Sequence, residues 1–445
     1  MGAGHIKAYL LYPFVEAMQK RDIRGKLDVM KKDWKRPFKE RLPAGERSLC
    51  RTLAMAGTHV PYYRDLFKKV KFDPESVARD VSYMNELPFL TKEIVREEGE
   101  RLLNETFDRR SLHVRKTGAS TGPSALIYYS RDALDRTAAV NLFVREWTGK
   151  KRHMKELHLS SRLMETPPLK DRVKEAVKCL AMNRVNVLTD SFEPDSLQRV
   201  CRKIKAARPY YLTGHPSTLY ALALHARERG ESLAGTIKVF GSSGEVLNRK
   251  KRGTIEEVFG CKVFDCYGSA EFGVVAHELA RENVKKNGAA ETEQKILDFI
   301  VWPETLDTDT GDKEIVLTGL TNDAMPLIRY RTGDMGEIER RDDGFYLGNV
   351  QGRTHDLVKI GGRRYPTHYI QDLVDRMEGI DEFQLEQREG LPLLLRLVTS
   401  DTADRDEVSR RVKLLWDGRV EVEFSDFSGL KRVGWRNKFR YVVAE

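Results

Sequence analysis

Lys116-Thr117-Gly118-Ala119-Ser120-Thr121-Gly122-Pro123-Ser124 stands immediately before the apolar run Ala125-Leu126-Ile127-Tyr128-Tyr129. Glycines and small hydroxyl residues let a turn wrap its backbone N–H groups and side-chain hydroxyls round an anion, above all a polyphosphate. The pattern G-x-x-x-x-G-K-[ST] is absent, so the chain is not a P-loop NTPase. By itself such a loop is more simply an ordinary surface turn, and what stands round it decides its reading.

Downstream of the loop, β-like runs (Ala125–Tyr129, Val239–Ser242, Cys261–Tyr267) alternate with longer helical stretches (Ser196–Ala207, Thr218–Arg229), which predicts a layered α/β domain. Upstream, residues 1–90 read as helical, with apolar residues at three- and four-residue steps such as Leu10, Phe14 and Met18, interrupted at Val60-Pro61-Tyr62-Tyr63. Beyond residue 295 strands are expected at Ile296–Trp302, Glu314–Leu317, Leu327–Arg331, Met335–Glu339 and Gly344–Leu347, a β-subdomain. The last ninety residues predict a small α+β unit: helices at Thr367–Met377 and Asp404–Leu415, strands at Phe383–Gln387 and Leu393–Val398, and a basic tail.

The loop is followed, in order, by Gly241-Ser242-Ser243-Gly244-Glu245, Asp265-Cys266-Tyr267-Gly268-Ser269-Ala270-Glu271, Tyr330-Arg331-Thr332-Gly333-Asp334 and Gly352-Arg353. This ordered set resembles the adenylate-forming (acyl-CoA synthetase-like) superfamily, in its phenylacetate-CoA ligase and capsular-biosynthesis CapK branch. The resemblance runs from Pro61-Tyr62-Tyr63-Arg64, through Leu87-Pro88-Phe89-Leu90-Thr91-Lys92, to the C-terminus. It implies a large multi-layer N-terminal adenylating domain with a β-subdomain, residues 1–353, and a small mobile α+β lid domain, residues 354–445.

The implied activity is ATP-dependent activation of an organic carboxylic acid as its acyl-adenylate, then transfer to the thiol of CoA or to an amine. The alternative is a nucleotide-binding protein that has lost the second half-reaction. A carboxylate is a poor electrophile because oxide would have to leave; transfer of AMP gives a mixed anhydride with a good leaving group. Two anions must then be held together, which calls for phosphate-cradling donors, Mg2+ and a cation aimed at the developing charge.

By resemblance, Thr117, Gly118, Ser120, Thr121 and Gly122 hold the phosphates of ATP. Gly244, Glu245, Asp265, Tyr267, Gly268 and Ser269 line the adenine site, with Tyr267 as its aromatic wall. Glu271 is the magnesium-side carboxylate, Asp334 suits the vicinal diol of ribose, and Arg353 adds a ribose or phosphate contact. The hinge position falls on His355, where the family usually has Asp or Lys. Lys438, in Asn437-Lys438-Phe439-Arg440, matches the family's catalytic lysine although Asn replaces the usual Gly, and Lys431 competes with it. Taken singly, Tyr267 reads as core packing and Glu271 as a salt bridge. His215 reads as a partly buried, hydrogen-bonded histidine or as a wall of the acid pocket.

Composition excludes other classes. The 445 residues, 40% hydrophobic and 32% charged, are those of a globular chain able to bury a large core. No run reaches the roughly 20 apolar residues of a membrane-spanning helix, since Ala8–Val15 is broken by Pro13. The start lacks a secretory pattern, so a cytoplasmic enzyme is expected. Five cysteines without C-x-x-C point to reduced structural thiols rather than zinc. Of the net charge of +10, much lies in residues 1–70, with 16 Lys/Arg against 7 Asp/Glu. The run Lys20–Arg41, with Trp34 and Phe38 interleaved, reads chiefly as a solvated helical face. It leaves room for weak contact with an anionic surface, and no specific nucleic-acid motif accompanies it.

Overall fold

The computed structural model describes residues 2–117, 124–161, 168–189, 191–279, 293–308, 311–353, 357–360, 363–366, 370, 373–374, 377–388, 391–401, 403–433 and 438–444. They form two compact units, Met1–His153 with Phe264–Val350, and Met154–Val263 with Gln351–Glu445.

The first unit opens helically, as the apolar spacing predicts: Ala3–Met18 with a π turn over Lys7–Leu11, then Ile23–Trp34, Phe38–His59 and Pro61–Val70. Val60 is extended, and Pro61 opens the next helix at a position where its missing N–H is no loss. Tyr63 is buried; its hydroxyl donates to the Pro326 carbonyl at 3.1 Å and accepts from the Ile328 N–H at 3.0 Å, tying this helix to the strand that carries Asp334. Leu90 bridges the same strand through the Arg329 carbonyl and the Arg331 N–H.

Among the described residues, this unit's strands run in the order Val301–Asp307, Lys313–Gly319, Tyr330–Arg341, Gly344–Arg353, Gln294–Ile296, Gly273–His277, Lys262–Ser269. Two expected strands are redrawn. Ile296–Trp302 is broken by a turn after Leu297, where Asp298 points its carboxylate at Arg41 (2.9 Å) and Ile300 N–H closes on the Leu297 carbonyl. Leu327–Arg331 begins only at Tyr330, because Arg329 takes a left-handed φ of 48° and buries its guanidinium against Glu304 and the carbonyls of Met84, Asn85 and Leu87. From Tyr330 the strand continues through the expected Met335–Glu339 run to Arg341.

In the second unit the strands Val239–Ser243, Tyr211–Gly214, Glu156–Ser161 and Arg184–Thr189 run parallel in that order. Buried Leu157, Val187, Leu212 and Phe240 pack against Ile204, Leu219, Tyr220 and Phe259 of the helices Pro194–Ala207, Pro216–Glu228 and Arg249–Phe259. The C-terminal stretch supplies a sheet ordered Val420–Ser425, Leu393–Thr399, Ile380–Gln387, Val442–Ala444, with the helix Arg405–Leu415 capped by Asp404. The helix expected over Thr367–Met377 falls mostly outside the described residues. Among those described, no helix is long and apolar enough to cross a membrane.

Candidate functional site

The strands His113–Lys116 and Leu126–Tyr129 pair antiparallel and carry the Ser/Thr/Gly loop at their end. Thr117 closes its neck: the buried Oγ1 accepts from the Ala125 N–H at 2.9 Å, and its own N–H donates to the Ala125 carbonyl at 2.9 Å. Gly118, Ser120, Thr121 and Gly122 lie outside the described residues.

The hairpin of Lys262–Ser269 and Gly273–His277 holds the next group. Tyr267 N–H donates to Gln294 Oε1 (2.8 Å), Gln294 Nε2 donates to Asp265 Oδ2 (2.9 Å), and Asp265 N–H donates to Glu278 Oε2 (2.8 Å). Asp265 thus braces the strand that carries Tyr267. Gly268 must be glycine, since a Cβ there would stand 2.5 Å from the Gly273 carbonyl oxygen. Ser269 Oγ accepts from the Phe272 N–H, which rounds the turn toward Glu271.

Asp334 reaches this hairpin because its strand bulges. Against the partner strand Glu314 pairs with Met335 and Val316 with Arg331, so Thr332, Gly333 and Asp334 are pushed out of register. Gly333 takes φ 73°, and its N–H is held by buried Glu314, which also grips Arg331. The result is a 2.8 Å hydrogen bond from the Tyr267 hydroxyl to Asp334 Oδ2. Beside it, the Tyr330 hydroxyl donates to Glu271 Oε1 at 3.1 Å, and Tyr129 Oη lies 2.6 Å and 2.5 Å from the Ala270 and Glu271 carbonyls. The motif of Tyr267 and Glu271 and the motif of Tyr330 and Asp334, far apart in sequence, are therefore joined by two hydrogen bonds within one unit.

The sequence reading passed over Gln294, Glu278, Tyr129 and Tyr330 as supports. Tyr330 could have been noticed, since it opens the Asp334 motif; Gln294 and Glu278 flank a stretch with no local signal. Burial pushes the Cys261 and Cys266 thiols up to about 12, which fits the expected structural role and leaves neither a thiolate at neutral pH. Burial also holds His277 down to about 4; its Nδ1 lies 2.6 Å from the Glu278 carbonyl.

In the second unit, Gly244 takes φ 84° and turns the chain after the strand Val239–Ser243. Glu245 Oε2 accepts from the Ser217 N–H at 3.2 Å, and His215 Nδ1 stands 3.0 Å from the Ser243 carbonyl and 4.0 Å from Glu245 Oε1. Burial opposes the Glu245 charge, but His215, Ser217, Lys251 and Arg432 outweigh it and hold the carboxyl below its ordinary value. Glu245 Oε1, Ser217 Oγ and Ser242 Oγ are buried without hydrogen-bond partners among the described residues. Such atoms fit a place made for a polar ligand. Arg432, missed in the sequence because it lies in a basic tail, stacks on the Phe192 ring at 3.6 Å, and burial lowers it to about 10 against the pull of Glu245.

Lys438 lies in the short strand Lys438–Phe439, paired with Arg432–Val433. Its rival Lys431 is committed elsewhere, with Nζ 2.6 Å from buried Glu386. Arg353 ends the strand Gly344–Arg353, and His355 lies outside the described residues.

In the basic run 20–41, Arg21 pairs with Asp135, Arg24 with Glu16, Lys26 with Asp132, Lys31 with Glu146, Arg36 with Glu40 and Arg41 with Asp298. Trp34 packs on Trp147, Phe143 and Phe299, and Phe38 on Phe345. Most of the run is therefore structural.

No protein-family model matches the chain. It is 22% identical over 361 residues to Protein CapK of Staphylococcus aureus, covering 79% of this chain and 77% of that protein. It is 27% identical over 368 residues to the phenylacetate-coenzyme A ligase of Thermus thermophilus, covering 78% of each. Its fold matches the crystal structure of 2-hydroxyisobutyryl-CoA ligase in the postadenylation state with 2-HIB-AMP, with a TM-score of 0.71 at 20% identity over 92% of this chain and 90% of that one.

Proposed function

We propose, from the premise that this chain is of the adenylate-forming kind in its phenylacetate-CoA ligase and CapK branch, that it is an ATP-dependent acid ligase. It activates an organic carboxylic acid as the acyl-adenylate and passes the acyl group to CoA. The observation that carries this reading is the 2.8 Å contact of Tyr267 with Asp334, which joins two otherwise separate motifs beside Glu271.

In the first half-reaction a carboxylate oxygen attacks the α-phosphorus of ATP, the bond to the β-phosphate bridging oxygen breaks, and pyrophosphate leaves. In the second, the sulfur of CoA attacks the acyl carbon, AMP leaves with the electron pair of its bond, and the thiol proton passes to solvent. Asp334 accepts hydrogen bonds from the ribose diol, and the hydroxyl of Tyr267 holds the carboxylate while its ring walls the base. Asp265, Gly268 and Ser269 are assigned to adenine recognition, as are Gly244 and Glu245; the buried unpartnered oxygens at Glu245, Ser217 and Ser242 support a polar ligand at Glu245. The loop Thr117 to Gly122 takes the phosphates, and Arg353 a ribose or phosphate oxygen.

Mg2+ would neutralise phosphate charge, and a lone protein carboxylate suits it, since magnesium is commonly held by one or two carboxylates together with phosphates. Glu271, oriented by Tyr330, fits that part. Lys438 supplies a compact cation to the substrate carboxylate and α-phosphate. Residues 354–445, which here pack with residues 154–263, are the small domain that swings about His355 between the half-reactions, a motion that would part Lys251 from Glu382 and Tyr441. An amine is the alternative acceptor to CoA, and the setting is cytoplasmic. Contact of residues 20–41 with an anionic surface is left to the exposed Lys20, Lys32, Lys35 and Lys39.

The test is pyrophosphate–ATP exchange across aryl, amino and short-chain acids, followed by addition of CoA or amines. Exchange that depends on one acid is expected, with Lys438→Ala losing roughly 2–4 kcal/mol of transition-state stabilisation, the scale of one well-placed donor. Exchange without acyl transfer to CoA or any amine would establish the alternative that has lost the second half-reaction, and ATP binding with no exchange for any acid would overturn acid activation itself; normal exchange in the lysine variant would reassign that residue.

A further inference from the structure

The segment Ala3–Met18 turns an apolar stripe to solvent. Ile6, Leu10, Phe14 and Met18 recur every four residues and are 48%, 61%, 62% and 69% exposed, with Tyr9 beside them at 47%. At 3.6 residues per turn each four-residue step would drift by about 40° round the helix. The π turn over Lys7–Leu11 takes up more residues per turn and draws the four back toward one line. It ends two residues before Pro13, where the helix lacks a donor in any case.

The opposite side is the one attached to the protein. His5 stacks on His153 at 3.8 Å, and the Arg152 guanidinium lies over Tyr12 at 4.9 Å and donates to the Ala8 carbonyl at 3.3 Å. Glu16 is buried, accepting from the Arg24 N–H at 2.7 Å and from its guanidinium. A soluble helix normally does the reverse and buries its apolar stripe. These contacts, together with buried Ala8 and with Tyr12 packed on the core, hold the exposed stripe outward in a fixed orientation.

The charge on this segment is of one sign. Glu16 is the sole carboxylate in residues 1–21, and it is consumed internally by Arg24. Lys7 follows Ile6, and exposed Lys20 follows Met18 by two positions. A second copy laid on the same stripe would bring lysines to lysines with no exposed carboxylate in the segment to receive them. A surface of anionic lipid headgroups over acyl chains answers both features, since it takes apolar side chains below and cations at headgroup level.

We propose that the helix Ala3–Met18 is an interfacial anchor that seats this protein on anionic lipid membranes. The expectation of an anionic contact thereby moves from residues 20–41, whose cations are largely paired, to the stripe that precedes them.

The experiment is co-sedimentation of the full chain with phosphatidylcholine vesicles, with and without phosphatidylglycerol, over a range of NaCl. Binding to the anionic vesicles is expected, at least tenfold tighter than to the neutral ones and weakened by salt. Leu10→Asp/Phe14→Asp should abolish it, and because both side chains are exposed the thermal unfolding should stay unchanged. Leu10→Trp should show blue-shifted fluorescence only with anionic vesicles. Val173→Asp, on the separate helix Leu169–Ala181 where Val173 is 55% exposed, should bind as wild type. Equal binding to both vesicle types, retained binding in the double aspartate variant, or loss in Val173→Asp overturns the proposal. So does a concentration-dependent dimer that the aspartates dissolve, which would make a second copy the occupant.

Discussion

Replacing Lys251 with methionine removes an ammonium that the fold has sealed between two segments of one unit. Lys251 lies on the helix Arg249–Phe259; its Nζ stands 2.6 Å from Glu382 Oε2 and 2.8 Å from the Tyr441 hydroxyl, both in the C-terminal sheet, and 4.8 Å over the Tyr441 ring. The two charged side chains are only 2% and 4% exposed. Burial works against the Lys251 charge, but Glu382 and Tyr441 outweigh it and raise its pKa; burial raises Glu382, offset only in part by Lys251.

Lys251→Met leaves a buried carboxylate without its cation, which costs about 3–5 kcal/mol. For a unit of about 200 residues that is roughly 6–20 °C in midpoint. Glu382 can escape by taking a proton, so the loss should be larger at pH 8 than at pH 5. In Lys251→Met/Glu382→Leu both charges are gone, and most of the stability should return. The assay is urea unfolding of the four proteins of this cycle at both pH values, with limited proteolysis to see whether residues 380–445 become cleavable first. A loss below about 1 kcal/mol, independent of pH, would refute the reasoning, because a sealed carboxylate cannot be indifferent to losing a cation at that range.

Asp334→Asn should weaken ATP binding by roughly ten- to a hundredfold, the worth of hydrogen bonds to a charged group, while Tyr267→Phe loses less; calorimetric titration showing unaltered affinity in Asp334→Asn would remove its ribose role. His277 has a folded pKa depressed to about 4 by burial, so its stabilising contribution is complete above the ordinary value near 6.5 and disappears as pH falls toward 4. The loss amounts to roughly 3 kcal/mol; His277→Gln should flatten unfolding stability between pH 7 and 4, and an unchanged slope would assign the acid sensitivity to other groups.

Much of the fold was legible because its signals are local. Spacing of Leu, Phe and Met marked the helical start. The alternation of apolar runs with helical stretches marked the α/β layers, and the last helix, Arg405–Leu415, falls within the expected Asp404–Leu415. The errors fell where a long-range partner overrides the local pattern. Arg329 ends the Leu327 run because carbonyls more than 240 positions away collect its guanidinium. The turn at Asp298 likewise answers to Arg41. The basic run 20–41 could not be recognised as internal from its composition, since its counter-charges Asp132, Asp135, Glu146 and Asp298 are distant in sequence.

For the site, the order of the motifs was enough to state which residue types a nucleotide and an acid require. What the sequence by itself determined was chemistry and local conformation: hydroxyls and glycines in turns, an aromatic, carboxylates and a late lysine. Only the tertiary structure decided that a bulge pushes Asp334 out to the Tyr267 hydroxyl, that Tyr330 orients Glu271, and that the first helix turns its apolar stripe outward. Backbone preference acts over a few residues, whereas the meeting of side chains depends on register and packing between segments that the chain order leaves far apart.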